Sequence, residues 1–453
     1  MNAVTAIAPE SASPGPTKVL VAVHGIGDQV GYATVQSVAG RLGAFLGCPA
    51  GIPLGRFYRT ADKVIAPGPV LMSGHDPSAL AGMGLAEVYW AAIARKVSQD
   101  GFILEESKKW ARTITARLSA GAEASKEALP ARERERIQSV LDELIETVLV
   151  LDRLTFLARK AGVLDFNLRA LLDSFVGDVQ IVADFEGYRD QILAEVDQVM
   201  NASQQLAPRP DEAELYLVAH SEGTVIAFRA LLAALADPDE HRWIHRVRGF
   251  MTIGSPVEVH HILWPHLWRQ DPALVPSADL DAALRIPWFN YMDYADPIAY
   301  PLTETAKWLG ETGFARHLSP TEVKFSRSYL PGKAHTDYWT DAEVFGHFLE
   351  TVVKPAGARG DRFRDPPRTK KPAVLTGYVV PQLLIVLLML GATYLFYRPV
   401  LSVIGAKNLT AISITRDVLG IGLLLLGITA AARLPRLTSQ YRWWFVKIGR
   451  AHV

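Results

Sequence analysis

The chain reads as an α/β protein: a mostly parallel sheet with helices on its faces. Three observations predict this. Short runs are apolar at nearly every position, helix-like stretches lie between them, and chemistry-bearing residues gather just past the ends of the runs. The runs lack the two-residue alternation of a strand wet on one side, so they fit strands covered on both faces. At 453 residues there is room for a large core and for additions to it.

Residues 1–16 are small, polar and proline-bearing, with neither a basic start nor a long apolar stretch, so a disordered N-terminus is expected and not a signal peptide. From 17 to about 60 the pattern is strand, helix, strand. The first strand, Lys18-Val19-Leu20-Val21-Ala22-Val23, runs into His24-Gly25-Ile26-Gly27. Between about 75 and 205 the alternation stops. Helical periodicity over 85–94, 103–118 and 137–156 predicts a helical insertion within a single domain spanning 17–354. Alternation then resumes with Leu215-Tyr216-Leu217-Val218, Ala219-His220-Ser221-Glu222-Gly223 and the helix-like Thr224-Val225-Ile226-Ala227-Phe228. A further strand ending in a turn follows over Phe250 to Pro256, another over Trp288 to Pro297 with two candidate acids at its end, and another at Val323-Lys324-Phe325-Ser326, with a helix at about 341–353.

The most informative stretch is 219–223. A serine with Ala and Gly two residues to either side, between a strand and a helix, matches a nucleophile elbow, whose tightness tolerates only small neighbours. Alone, Ser221 would serve equally well as a helix N-cap. It does not stand alone. Asp293 and Asp296 lie at the end of one later strand, and His335 follows another. Serine, acid and histidine thus occur in that order, each just past a strand. Backbone N–H groups near Ile26 and at Glu222 are placed to meet a developing oxyanion, at about 3 kcal/mol per donor. His24 and His220 read as supporting residues. Gly25-Ile26-Gly27 is not a dinucleotide fingerprint, because the next glycine is Gly31 and the spacing fails.

His24-Gly25-Ile26-Gly27, Ala219 to Gly223, Ile253-Gly254-Ser255-Pro256 and His335-Thr336-Asp337-Tyr338-Trp339 together resemble the α/β-hydrolases of the lipase/esterase kind, over about 17–60 and 210–354. Ala219 departs from the usual glycine at the first elbow position. The resemblance implies an α/β-hydrolase fold, Ser221 as nucleophile, His335 as base and Asp296 as acid, since Asp296-Pro297 resembles the family's acid turn. Asp293 is the alternative acid. Asp337 and Tyr338 read as turn and packing residues.

Lys plus Arg and Asp plus Glu both total 47, so no net charge draws the chain to nucleic acid. The single Cys48 cannot form an internal disulfide. The histidines are scattered, and the adjacent His260 and His261 would not share a helix face, so neither metal nor cofactor is expected.

The C-terminal part changes character. Residues 355–372 form a basic linker rich in Pro and Gly, with Arg359, Arg362, Arg364, Arg368, Lys370 and Lys371. Residues 373–397 carry no charge and, at 1.5 Å per residue, exceed the roughly 30 Å hydrocarbon core, which predicts a transmembrane helix. A second span is expected at 411–433, where the apolar run is shorter, followed by a tail at 434–453. Residues 447–453 resemble the translation of a sequencing adapter, so no function is read from them. The basic linker and tail predict a multi-pass membrane protein with its catalytic domain facing the cytoplasm. The expected activity is therefore a membrane-anchored serine ester hydrolase, lipase- or phospholipase-like, whose partners are a lipid or acyl-ester substrate and the bilayer. Alternatives are a thioesterase or soluble-ester esterase merely addressed to the membrane, and a non-catalytic scaffold. The sequence says nothing of oligomeric state.

Overall fold

The computed structural model of the chain describes residues 17–26, 31–47, 56–58, 71–73, 83–94, 179, 181–205, 207, 209–268, 274–296, 298–328, 331–355 and 362–374. Eight strands form one sheet in the order β2-β3-β4-β1-β5-β6-β7-β8. These are β1 (Lys18–Val23), β2 (Arg56–Tyr58), β3 (Leu71–Ser73), β4 (Met83–Val88), β5 (Glu214–His220), β6 (Val247–Ile253), β7 (Ile286–Asp293) and β8 (Leu318–Phe325). The six strands from β4 to β8 run parallel, and β3 is antiparallel to both β2 and β4. This bears out the α/β class.

The central strands β1 and β5 are apolar along nearly their whole length because both faces are covered. Val19, Val21 and Val23 of β1 and Leu215, Leu217 and Ala219 of β5 pack on one side, with α2 (Glu186–Gln205) and α3 (Glu222–Ala236). Leu20, Ala22, Tyr216 and Val218 pack on the other, with α1 (Ala33–Phe45) and α7 (Ala342–Phe348). Three shorter helices, α4 (Val257–Leu263), α5 (Thr303–Thr312) and α6 (Pro331–Asp337), follow β6, β7 and β8.

One expectation is overturned. Residues 83–88 form a buried sheet strand, where the periodicity over 85–94 predicts a helix; only 91–94 are helical. A short run buried on both faces has no face pattern to separate strand from helix. The sheet therefore continues past residue 75. Glu87, buried within β4, does not face solvent. Instead its carboxylate accepts the backbone N–H groups of Tyr32, of Thr34 at 3.0 Å and of Val35 at 3.2 Å, so it caps the N-terminus of α1.

The expected linker is also not a free tether over its described part. Phe363 lies against the bare backbone of Gly346 in α7 and 5.9 Å from the ring of Phe45. The N–H of Lys370 donates to Ser326 O at 2.8 Å, and Ser326 N–H donates to Thr369 Oγ1 at 3.1 Å. Among the described residues no helix is long and apolar enough to cross a membrane. The expected spans at 373–397 and 411–433 fall outside the described residues apart from 373 and 374. So do the N-terminal segment, the tail and the helices expected at 103–118 and 137–156.

Candidate active site

From β1 the chain crosses to the outer edge at β2 and returns inward through β3 and β4, then places β5 on the other side of β1 and continues outward to β8. At such a reversal the loops leaving the C-terminal strand ends diverge and open a crevice, the usual ligand position in parallel sheets. In register, Val23 of β1 pairs with Ala219 of β5, and His220 with Ile253 of β6. At this edge Ser221 and Glu222 follow β5, Ile26 follows β1, Asp293 ends β7 with Asp296 just past it, and His335 follows β8.

Ser221 stands between β5 and α3 with φ 54° and ψ −131°, a conformation that a side-chain-bearing residue holds only when its surroundings enforce it. Ser221 N–H donates to Ile253 O at 3.1 Å, so the ladder to β6 runs into the turn. Gly223 shows why the turn needs small residues. A Cβ there would lie 2.3 Å from His24 O and 2.7 Å from Val23 O. Gly25 faces Ser221 just as closely, its notional Cβ 2.7 Å from the serine Cβ.

Ser221 Oγ lies 3.0 Å from His335 Nε2, and His335 Nδ1 lies 3.0 and 3.1 Å from the two oxygens of Asp296. The three side chains form one continuous hydrogen-bonded line: the hydroxyl donates to Nε2, and Nδ1–H donates to the carboxylate. Asp296 is almost wholly buried. Burial alone would raise its pKa, but the His335 charge, its hydrogen bond, the Ile298 N–H and the Tyr338 hydroxyl outweigh that and hold it below the ordinary 3.8.

Asp293, the alternative acid, does not reach His335. Its Oδ1 accepts Ala295 N–H, and its Oδ2 accepts the N–H groups of Arg327 and Ser328, each at 2.9 Å. Burial raises its pKa, with those backbone bonds pulling the other way. Asp293 ties the end of β7 to the chain leaving β8.

Two residues to which the sequence reading gave no role in the site belong to it: Tyr338, read there as a turn and packing residue, and Gly254. The Tyr338 hydroxyl donates to Asp296 Oδ2 at 2.9 Å and accepts Asp293 N–H at 2.9 Å, so it bridges the two aspartates. Its position three residues after His335, on the same helical path, was the signal available. Gly254, at φ 60°, lets the chain leaving β6 pass under the pair. A Cβ there would lie 3.0 Å from the His335 ring and 3.1 Å from Asp296 Oδ2.

The histidines flanking the line are fixed by backbone. His220 Nε2–H donates to His335 O at 2.8 Å, and its ring lies 4.7 Å from that of His335. Burial first, then the His335 charge, push its pKa down to about 3. His24 Nε2 accepts the N–H groups of Trp90 and Ala91 at 3.0 and 3.2 Å, leaving Nδ1–H to donate to Gly25 O. Both rings are thus committed to holding backbone, His220 that of the histidine at the site and His24 that of the β1 loop.

Ile26 follows Gly25 on the β1 loop, and Glu222 opens α3, where the first N–H groups have no intrahelical acceptor. Glu222 follows Ser221 directly, and Ile26 follows Gly25, whose notional Cβ lies 2.7 Å from the serine Cβ. The Glu222 side chain turns inward: it is fully buried and pairs with His260 Nε2 at 3.1 Å, while Glu222 Oε1 and His260 Nδ1 have no hydrogen-bond partner. Among the described residues no group of three or more His, Cys, Asp or Glu side chains could hold a metal ion.

No family model, curated protein or solved structure matches this chain.

Proposed function

We propose that the protein is a serine ester hydrolase of the α/β-hydrolase kind, tethered to a membrane and acting on lipid or other acyl esters. The observation that carries this is the unbroken line from Ser221 Oγ through His335 to Asp296, on three loops at the C-terminal edge of a parallel sheet. The chain order Ser, Asp, His accords with it.

The chemistry follows from the geometry. Ser221 Oγ attacks the ester carbonyl while His335 Nε2 takes its proton, and Asp296 holds the resulting imidazolium. The carbonyl oxygen becomes an oxyanion facing the Ile26 and Glu222 N–H groups. The C–O bond to the alcohol breaks as His335 returns the proton to the leaving oxygen. Water activated by the same histidine then cleaves the acyl-serine. The strained Ser221 backbone keeps Oγ presented between β5 and α3.

The membrane part of the proposal rests on the uncharged stretch 373–397 and on the basic residues of the linker before the first apolar run and of the tail after the second, which favour a catalytic domain on the cytoplasmic face. A hydrolase held there meets acyl esters of the bilayer at high local concentration.

The decisive experiment labels the full chain with a fluorophosphonate and maps the modified peptide, beside Ser221→Ala. Label on Ser221, and loss of both label and ester turnover in the variant, are expected. Turnover that survives in Ser221→Ala refutes the assignment.

A further inference from the structure

Resting on the reading of Ser221, His335 and Asp296 as a catalytic line, we propose that the docked segment 362–374 is a positioning element of that site, acting through Arg327. The segment leads straight into the expected membrane span, so the anchor and the acid are mechanically joined.

The connection is traced bond by bond. Arg327 is buried just past the end of β8, and its guanidinium is divided among three acceptors. Nε pairs with Asp341, the N-cap of α7; Nη1 pairs with Glu343 at 2.6 Å and donates to Arg368 O at 2.9 Å. Arg368 N–H in turn donates to Glu343. The backbone N–H of Arg327 donates to Asp293 Oδ2, Asp293 N–H donates to the Tyr338 hydroxyl, and that hydroxyl donates to Asp296 Oδ2. Three residues therefore link the segment to the carboxylate that orients His335.

The segment is also tied to the same turn at Ser326, whose O accepts Lys370 N–H and whose N–H donates to Thr369 Oγ1, and the path to Asp293 runs on through Arg327. A cavity of about 330 Å³ lies beside it, lined by Asp293, Arg327, Tyr338, Asp341 and Lys370. With open space on that flank, hydrogen bonds through Arg327 hold the turn bearing Asp293. At the far end, Phe363 on Gly346 keeps the segment down without touching the polar path. Arg327 touches no reacting atom. It acts through Asp293 and Tyr338.

The test compares the full chain in detergent with Arg327→Ala, Arg327→Lys and Phe363→Ala. It reads kcat and KM on a short soluble ester, the rate of fluorophosphonate labelling, and hydrogen exchange over 362–374. For Arg327→Ala and Phe363→Ala, exchange over the segment should rise, and kcat and labelling rate should fall together by about tenfold with KM little changed, as for a displaced catalytic group. Arg327→Lys, which keeps the charge but not the fork, should fall between. Faster exchange over 362–374 with unaltered kcat and labelling overturns the proposal. Failure of the unmodified protein to label at Ser221 instead overturns the hydrolase reading, and this inference with it.

Discussion

Asp293 and Asp296 differ in what their oxygens face, and that difference sets what each substitution does. Asp296→Asn leaves Nδ1 of His335 facing an amide, so the wrong tautomer is favoured. A loss in kcat of up to about 10⁴, the scale known for the corresponding change in a serine protease, is expected. Asp293→Asn weakens the acceptor of three backbone N–H groups and should cost about 1–2 kcal/mol in urea unfolding, with a kcat loss of only about tenfold, the size expected for Arg327→Ala. Equal kcat losses in the two variants would contradict the assignment of the acid. His220 makes a separate prediction. Its folded pKa of about 3 lies below the ordinary 6.5, so the unfolded chain takes up a proton that the folded one refuses. Stability is therefore full above about 6.5 and is lost as pH falls toward about 3, with a slope approaching about 1.4 kcal/mol per pH unit. His220→Gln should flatten that slope in unfolding measured between these limits; an unchanged slope would place the proton elsewhere.

At the level of elements, β4 shows how a charged residue can belong to a buried strand. Glu87 is paired across the sheet with Ala22 of β1 and, buried, gives α1 the acceptor that its first N–H groups lack; Tyr32, the N-cap residue, makes no side-chain cap bond. Burial raises the Glu87 pKa against the pull of those N–H groups. Glu87→Ala should destabilise the fold by about 1–3 kcal/mol, with α1 the first region to lose exchange protection. Undiminished protection in α1 would mean that the cap is dispensable. The elbow and the acid turn were legible because their residue types are dictated by local sterics and chemistry. Helix and strand were confused at 83–94 because a segment covered on both sides carries no periodic mark of its neighbours.

For the whole molecule, the parallel sheet converts residues more than a hundred positions apart into hydrogen-bonded partners, since every loop used by the site leaves the same edge. On the proposal above, the docked segment 362–374 joins this edge to the expected anchor. Removing 375–453 while keeping that segment should lower turnover of long-chain lipid in vesicles on the order of tenfold or more, through lost local concentration. Turnover of a short soluble ester should be unchanged. No preference for the anchored form on vesicles would favour an esterase whose anchor is only an address.

The sequence by itself determined the α/β class, the small-residue turn at Ser221, the order of serine, aspartate and histidine along the chain, and the apolar runs near the C-terminus. Each depends on residues within a few positions of one another, or on their order along the chain. Only the tertiary structure decided between Asp293 and Asp296, brought Tyr338 and Gly254 into the site, made Glu87 a helix cap, and docked the basic linker onto the catalytic domain. Those outcomes depend on which strand ends become neighbours, and neighbour identity arises from sheet order and register, which no local pattern encodes.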